Sequence, residues 1–288
     1  MTASVGASHA IELTVSYDGA QFCGFAPQRE GRTVYGVLLA AVRTMDRSVE
    51  RLRGASRTDA GVHALGQRVI FDPARAIAPR GWALGLNSRL PSDLAIRSVR
   101  SVARGLDPRD VSHGKRYRYR VLRDPLRDPT LDRFAWRIDD ALDVARVRRE
   151  AEDLRGTHDF KAFRTSSDAR EITTRTMTSV AILDGADAAK PSTGPRFCDP
   201  RLLAIEIEGT AFLHNMVRII AGTLVDVGRG RLEPGAVKRG FETGERASLG
   251  MTAPPHGLWL EEVLIDERKL AAASLTNEHN SPEAASWP

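Results

Sequence analysis

The stretch LRGASRTDAGVHALGQRV, from Leu52 to Val69, places an arginine, a threonine, an aspartate and a histidine within seven residues. Glycines surround these polar residues, and the short strand-like run QRVIFD follows them. One interpretation is a polar turn in which Asp59 accepts hydrogen bonds from its own backbone, as aspartate often does. The other is that Asp59 performs chemistry and the loop holds it in place. The rest of the chain must decide between these two alternatives.

Arg57, two residues before Asp59, favours the second alternative. An arginine beside a carboxylate keeps the carboxylate ionised and orients it, which a nucleophile or general base requires. The surrounding glycines permit sharp turns and the close approach of a large ligand. A metal-dependent phosphoesterase that uses Asp59 and His63 is a third alternative, but the sequence offers no third metal ligand.

The composition indicates a globular protein with a polyanionic partner. Of 288 residues, 42% are hydrophobic and 27% are charged, and 42 basic residues exceed 37 acidic ones, which gives a net charge of +5. Only five of the basic residues are lysine. The excess of arginine fits phosphate recognition, because the planar guanidinium binds phosphate bidentately. It equally fits a GC-rich genome, and composition alone does not separate these causes.

Three features favour the cytoplasm. Cys23 and Cys198 are far apart and suggest neither a disulfide framework nor a zinc site, which is typical of a reducing compartment. The segment MTASVGASHA does not have the pattern of a signal peptide. No apolar run approaches the ~18 residues of a membrane span. We therefore expect a cytoplasmic protein that does not enter a membrane.

Residue periodicity predicts two halves of mixed secondary structure. The first half reads as strand, helix, strand, helix and strand, in the runs AIELTVSYDG, RTVYGVLLAAVRTM, QRVIFD, PRGWALGLNSRLPSD and LAIRSVRSV. In the second half, strands are predicted in KRYRYRVL, ITTRTMTSVAIL, RLLAIEIEG and GLWLEEVLI, and helices in DVARVRREAEDLRG, AFLHNMVRIIAGTLVDVG and PGAVKRGFE. The two strands in the middle of this half should form a hairpin.

This pattern predicts an α+β fold of two α+β domains with mainly antiparallel sheets. We expect an N-terminal domain over residues 1–110, which carries the Asp59 loop, and a C-terminal domain over residues 111–268. Residues 269–288 lack periodicity and are expected to be disordered. The segment 184–200 is expected to be a mobile loop.

Strand alternation in KRYRYRVL puts Tyr117 and Tyr119 on one face and Arg116, Arg118 and Arg120 on the other. In one reading the tyrosines face the core and the arginines are solvated. In the other, an aromatic ring stacks on a nucleobase beside a cationic surface that follows the phosphates.

Arg218 stands in a predicted helix among apolar neighbours: Met216, Val217, Ile219, Ile220 and Ala221. A charge there is unfavourable unless it is paired or the helix end meets solvent. The side chain either reaches solvent along its aliphatic stem or pairs with a carboxylate such as Asp59.

With these residues in view, GASRTDAGVHALGQ resembles the signature of the TruA family of tRNA pseudouridine synthases. Further runs resemble family blocks in the family's order, over roughly residues 11–265: YDGAQFCGF, LNSRLPSDLAI, GKRYRYRV, GTHDFKAFR, AFLHNMVRIIAGTL and TAPPHGLWLEEV. An ordered series of blocks is far more specific than one motif.

The resemblance implies a two-domain isomerase of the pseudouridine synthase fold, with its active site in the cleft between the domains. It implies a homodimer that needs no cofactor and no metal. The substrate would be tRNA, in which uridines at positions 38–40 of the anticodon arm are converted to pseudouridine.

The resemblance also assigns residues. Asp59 corresponds to the catalytic residue, Arg57 to the arginine of the same motif, Tyr117 to the residue that stacks on the base, and Arg218 to the partner of the catalytic aspartate. We further expect contacts with RNA from a basic set: Lys115, Arg116 and Arg164.

The chain departs from the family pattern at several positions. The usual Gly-Trp-Gln-x-Gln run reads GFAPQ over residues 24–28, Tyr35 stands where glutamine is common, and the segment from Asp107 to His113 keeps only Arg109 of the usual Phe-His-Ala-Arg run. These changes bear on which uridine is modified more than on the reaction.

The alternative function is a non-catalytic tRNA-binding or chaperone protein on the same scaffold, although a pure binder has no need of the catalytic set.

Overall fold

The structure, a computed structural model, describes residues 7–139, 141–166, 168–185 and 199–275 and the short strand 285–286. The chain divides into two compact units. One unit runs up to His113 and resumes at Glu262, and the other covers Gly114–Glu261. The chain therefore crosses between the units twice, both times inside a strand.

The first unit combines an antiparallel sheet with helices. Its elements are β1 (Ala10–Tyr17), α1 (Val34–Met45), β2 (Arg53–Gly54), β3 (His63–Phe71), α2 (Pro79–Asn87), β4 (Leu94–Val102), α6 (Glu267–Leu275) and β11 (Ala285–Ser286). The strand order is β11–β4–β1–β3, with β2 beside β3, and every pairing is antiparallel.

The apolar side chains that alternate along β1 lie in the core of this unit, as predicted. Ile11, Leu13 and Val15 are fully buried, and β1 pairs with β3 on one side and β4 on the other. From α2, Trp82 packs edge-on against Phe71 of β3, with ring centroids 5.0 Å apart. These contacts hold β3 in the sheet, and β3 directly follows the loop that carries Asp59.

The predicted start of α1 is confirmed. The hydroxyl of Thr33 accepts a hydrogen bond from the Gly36 backbone N–H at 3.1 Å, as an N-cap residue does. The apolar face of the helix is buried at Val34, Leu38 and Ala41.

The second unit also carries a sheet covered by helices. Its elements are β5 (Ser112–Arg123), β6 (Trp136–Ile138), α3 (Val144–Glu152), β7 (Gly156–Asp159), β8 (Thr174–Asp184), β9 (Leu202–Gly209), α4 (Met216–Gly228), α5 (Ala236–Thr243) and β10 (Leu258–Ile265). The strand order is β10–β5–β9–β8–β7, and β6 pairs in parallel with the end of β5. The predicted hairpin is confirmed, because β8 and β9 pair antiparallel. The α+β class is confirmed in both units.

Several boundaries differ from the expected ones. The expected division after residue 110 lies three residues before the observed one, and the expected C-terminal range 111–268 includes residues from Glu262 onward that belong to the first unit. The expected disordered tail, 269–288, needs a correction at its start, because α6 extends to Leu275. Leu270 explains this helix: it packs with Ala10, Ile70 and neighbouring apolar residues in the core of the first unit.

Two short strands and two further expectations complete the comparison with the sequence. The strands β6 and β7 have too few residues to give a periodic signal and were not predicted. Most of the expected mobile loop 184–200, including Cys198, lies outside the described residues. Over the described part of the chain, no helix combines the length and the apolar character needed to cross a membrane.

A buried glutamate of α3 provides the cap of α5. Glu150 accepts hydrogen bonds from the backbone N–H groups of Gly235 and Val237, at 2.8 and 2.7 Å, and the residue is 4% exposed. Because the first N–H groups of a helix have no partner within the helix, Glu150 connects the packing of α3 to the formation of α5.

We expect Glu150→Ala to lower the free energy of unfolding by about 1–3 kcal/mol, because it leaves buried N–H groups without an acceptor. Chemical denaturation measures this loss. Glu152→Ala is the matched control on the same helix, since Glu152 is exposed and pairs with the exposed Arg155, and it should cost less than about 0.5 kcal/mol. Equal losses in the two variants would contradict the capping role.

Candidate active site

Asp59 lies in the loop that connects β2 to β3. The strand β2 is short and pairs with β3 only at Arg53 and Gly54. After it, the Ala55 N–H still bonds to the Arg68 carbonyl at 2.9 Å. The chain then leaves the sheet, so Asp59 is placed at the far end of a hairpin whose two arms are fixed by backbone pairing.

A fully buried glutamine continues this pairing one residue further. The side-chain Nε2 of Gln67 donates to the Ser56 carbonyl at 2.7 Å, and its Oε1 accepts the Ser56 N–H at 3.2 Å. The amide side chain therefore takes the place of a partner strand at Ser56. It holds the chain immediately before Arg57.

The other side of the loop is tied to β1 and to the segment that follows β1. The hydroxyl groups of Thr58 and Tyr17 are 2.7 Å apart, and the Thr58 carbonyl accepts the Phe25 N–H at 3.0 Å. The turn at Asp59 is closed by the Val62 N–H, which donates to the Asp59 carbonyl at 3.2 Å. The backbone is thus held around Asp59, whose side chain is half-buried, while the side chain of Arg57 is exposed.

His63 serves the local structure. It is fully buried, and its Nδ1 accepts the Gly19 N–H at 3.0 Å, close to the Asp18 carboxylate at 3.2 Å. This contact anchors the turn after β1 to the start of β3. Within the described ranges, no three His, Cys, Asp or Glu side chains are grouped so that they could hold a metal ion.

Two of the departures from the family pattern are packing positions of this unit. Phe25 is 4% exposed, and its ring lies against Gly54, where a Cβ atom would come within 2.6 Å of the ring carbon Cζ. The Tyr35 hydroxyl accepts the Leu52 N–H at 3.2 Å. Both side chains support the strand that leads into the Asp59 loop.

Tyr117 lies on β5 in the second unit and is buried. Its ring meets the edge of Phe212, with centroids 4.9 Å apart and planes at 76°. On the same face, the Tyr119 hydroxyl donates to the Pro254 carbonyl at 2.8 Å. Burial raises the pKa of the Tyr119 hydroxyl well above its usual range, and the charge of Arg218 acts in the opposite direction.

Both interpretations of β5, solvated arginines or a cationic surface that follows the phosphates, place the arginines at the surface, and this is wrong for Arg118 and Arg120. Both are buried. Arg118 Nη2 lies 2.6 Å from Glu206, its cross-strand neighbour on β9, and Arg120 Nη2 lies 2.7 Å from Glu261 on β10. Burial lowers the pKa of Arg120 to about 10, against the opposing charge of Glu261. These two buried arginines therefore pair with glutamates of the neighbouring strands and present no cationic surface of their own.

Arg218 is the one residue of α4 that is not buried. Its Nη1 donates to the Asn215 side-chain oxygen at 2.6 Å, and its Nε donates to the Ala253 carbonyl at 2.8 Å. The guanidinium is thus oriented by two neutral acceptors, which reduces the unfavourable energy of a partly buried charge. Asp59 belongs to the other unit, and its pairing with Arg218 stays a prediction.

The sequence-based start of α4 is wrong. The helix begins at Met216, and Ala211–Asn215, which were assigned to it, form a loop. The reason is Asn215, whose φ of 60° makes it the one non-glycine residue in the described structure with a left-handed backbone. Asparagine tolerates this conformation better than most residues. The contacts of Phe212 with Tyr117 and of Asn215 with Arg218 were not predicted. An asparagine directly before an apolar helix is a signal that could have identified Asn215.

The basic residues expected to contact RNA lie in different surroundings. Arg116 is half-buried and its Nη2 is 2.9 Å from Glu208. Arg164 Nη1 donates to the backbone carbonyls of Asp168 and Arg170. Lys115 is half-buried at the register position opposite Gly209. Their contact with RNA stays a prediction.

Comparison with known proteins identifies the class to which this fold and these residues belong. The family model described as tRNA pseudouridine synthase matches residues 13–106 and 151–264, more than half of the chain. Three proteins named tRNA pseudouridine synthase A each align with 253 residues, or 88%, of this chain. The protein of Geotalea uraniireducens is 37% identical and that of Geobacter sulfurreducens 38% identical, and 98% of each is covered. The protein of Myxococcus xanthus is 38% identical, and 91% of it is covered. The chain belongs to the tRNA pseudouridine synthase family, whose members are isomerases.

The close approach of Gly24 to the Asp59 loop gives a test of how that loop is held. Gly24 has φ of +95°, and a Cβ there would come within 2.8 Å of the Thr58 carbonyl oxygen. We expect Gly24→Ala to lose more than the roughly 1–2 kcal/mol of a left-handed alanine, because Thr58 must also move. Amide hydrogen exchange should rise at residues 57–62.

Gly105→Ala is the matched control, since Gly105 has φ of +76° but no atom within 4 Å of its Cβ position. This variant should show the conformational loss alone, with exchange at residues 57–62 unchanged. Identical unfolding free energies for the two variants would show that the contact with Thr58 does not constrain the loop.

Proposed function

We propose that this protein converts uridine to pseudouridine at positions 38–40 of the tRNA anticodon arm, with Asp59 as the catalytic nucleophile or base. The observation that carries the proposal is the half-buried carboxylate of Asp59 on a loop whose backbone is tied on both sides. Membership of the tRNA pseudouridine synthase family supports the reaction, and the resemblance in the sequence supports the positions.

The reaction is an isomerisation that moves the glycosidic bond. The bond between N1 of uracil and C1′ of ribose breaks, the ring turns, and a bond between C5 and C1′ forms. C5 loses its hydrogen and N1 gains one, so that no atom is added or lost overall. The base must leave the helical stack to be reached, and a carboxylate must start the reaction.

The Asp59 carboxylate has three chemically reasonable roles. It attacks C1′, removes a proton near C1′, or adds to C6 of the uracil. All three need an ionised and oriented carboxylate. The hydrogen bonds that Gln67, Tyr17 and Phe25 make with the residues around Asp59 provide the orientation, and we propose Arg57, two residues before Asp59, as a supporting residue of the site.

Tyr117 and Arg218 complete the proposed machinery. We propose that the ring of Tyr117 stacks on the uracil and restrains it while it turns, and the edge-on contact with Phe212 supports this because it fixes the orientation of the ring. We propose Arg218 as the partner of the Asp59 carboxylate, and the hydrogen bonds from its guanidinium to Asn215 and Ala253, which fix the orientation of the side chain, support this role.

The proposal also includes the setting in which the enzyme acts. The partner is tRNA, the enzyme is a homodimer, and the reaction takes place in the cytoplasm without cofactor or metal. The net charge of +5 supports a polyanionic substrate.

The first test removes the proposed catalytic group. Asp59→Asn and Asp59→Ala should lower the rate of pseudouridine formation by roughly 10²–10⁴-fold or more, while the affinity for tRNA survives. Tritium released from C5-labelled uridine in tRNA measures the rate, and carbodiimide labelling locates the product.

Glu50→Gln is the control for this test, because it removes an exposed carboxylate shortly before the same loop and should leave the rate unchanged. Full activity in Asp59→Ala would refute the proposed mechanism. A wild-type protein that binds tRNA but leaves the label pattern of every tRNA unchanged would favour the non-catalytic binder.

The second test concerns phosphate contacts. If six to ten phosphates are contacted, the affinity for tRNA should fall by roughly 10³–10⁵-fold between about 50 and about 200 mM salt. Lys115→Gln and Arg164→Gln should each reduce the salt slope by about one. Lys238→Gln is the control, since Lys238 pairs with Asp153 at 3.3 Å, and an equal slope change there would remove the support for specific contacts.

A further inference from the structure

Asp168 connects two segments of the second unit. It lies between β7 and β8 and is 8% exposed. Its Oδ2 accepts the backbone N–H of His214 at 2.8 Å, and its Oδ1 accepts the Nε of Arg170 at 2.8 Å and the Arg170 backbone N–H at 3.2 Å. One carboxylate oxygen thus accepts hydrogen bonds from its own segment, and the other accepts one from the loop before α4.

Neighbouring side chains strengthen the same connection. Arg170 Nη1 donates to the Phe212 carbonyl at 2.9 Å, and the Thr165 hydroxyl is 3.0 Å from His214 Nδ1. The segment that contains Asp168 therefore holds the loop at both Phe212 and His214. These contacts matter because the loop lies between β9 and α4 and belongs to neither.

This loop carries the groups that orient two proposed active-site residues. The ring of Phe212 meets the ring of Tyr117. Asn215, in its left-handed conformation, accepts the hydrogen bond from Arg218. A displacement of the loop would therefore move the ring that steadies Tyr117 and the oxygen that orients Arg218.

We infer that Asp168 is a positioning residue for the isomerisation: it holds the loop Phe212–Asn215 and acts through it on Tyr117 and Arg218. This inference rests on the function proposed above and goes beyond it, because Asp168 touches neither residue itself. The chemistry requires a carboxylate at this position. An asparagine of the same shape would turn its NH₂ group towards Arg170 or towards the His214 N–H, and both are donors.

The ionised carboxylate of Asp168 is the form that fits these hydrogen-bond donors. Burial acts to raise the pKa of Asp168, but the hydrogen bonds from His214 and Arg170 bring it below its usual value. At neutral pH both oxygens are therefore available as acceptors.

The experiment compares Asp168→Asn with Asp46→Asn. Asp46 is also a buried carboxylate that accepts backbone N–H groups, from Ala74 and Arg75 at 2.8 Å, but it lies after α1, away from the proposed site. Both variants should lose stability. In Asp168→Asn alone, kcat should fall by about 10-fold or more with KM for tRNA within about threefold, and hydrogen exchange should rise at residues 212–215.

A double-mutant cycle tests the route of the effect. If Asp168 acts through the loop, the loss of kcat in Asp168→Asn combined with Phe212→Leu should be smaller than the product of the two single losses. Arg170→Gln provides a second variant for the case in which Asp168→Asn does not fold. Arg170 is half-exposed on its side chain, and removing it should lower kcat by severalfold through the lost contact with the Phe212 carbonyl.

Two results overturn the inference while leaving the proposed function intact: kcat unchanged in both Asp168→Asn and Arg170→Gln, or losses that multiply fully in the cycle. A wild-type protein that forms no pseudouridine overturns the proposed function and this inference together, and the wild-type assay distinguishes that outcome from the other two.

Discussion

Paired charges fix the register of β5 against its two neighbouring strands, β9 and β10. Arg118 and Arg120 are buried, and each meets a glutamate of a neighbouring strand, at Glu206 and Glu261. A slip of one residue would turn both arginines to the opposite face and leave buried charges unpaired, at a loss of several kcal/mol. The two tyrosines of β5 therefore have one permitted face, and the placement of every group that contacts them depends on this register.

The two units hold their functional loops in a similar way. Neither the Asp59 loop nor the loop before α4 is part of a helix or strand. In the first, the buried amide of Gln67 bonds to the backbone of Ser56; in the second, the buried carboxylate of Asp168 bonds to the backbone of His214. A buried polar side chain with satisfied partners gives a loop the rigidity that a site requires.

The features predicted best from the sequence are those that depend on a local pattern of residues. The alternation of β1, the Thr33 cap of α1 and the hairpin of β8 with β9 all follow from neighbouring residues. The burial of Arg118 could not be predicted in this way, because its partner Glu206 lies 88 residues away in sequence. The start of α4 was missed because one left-handed residue, Asn215, ends the loop inside an apolar run that periodicity reads as continuous helix.

In the candidate site, too, residues within motifs could be predicted and residues that act through contacts distant in sequence could not. Asp59 and Tyr117 were predicted as site residues from an ordered series of motifs, which reflects ancestry as well as physics. Asp168 gave no comparable signal, since it stands in a polar segment and its role depends on contacts with a loop that follows it by more than forty residues. The contact between Phe25 and Gly54 has an evolutionary consequence. A side chain at position 54 becomes tolerable only after the ring at position 25 has become smaller, so the order of mutations at these positions matters, and each is epistatic to the other.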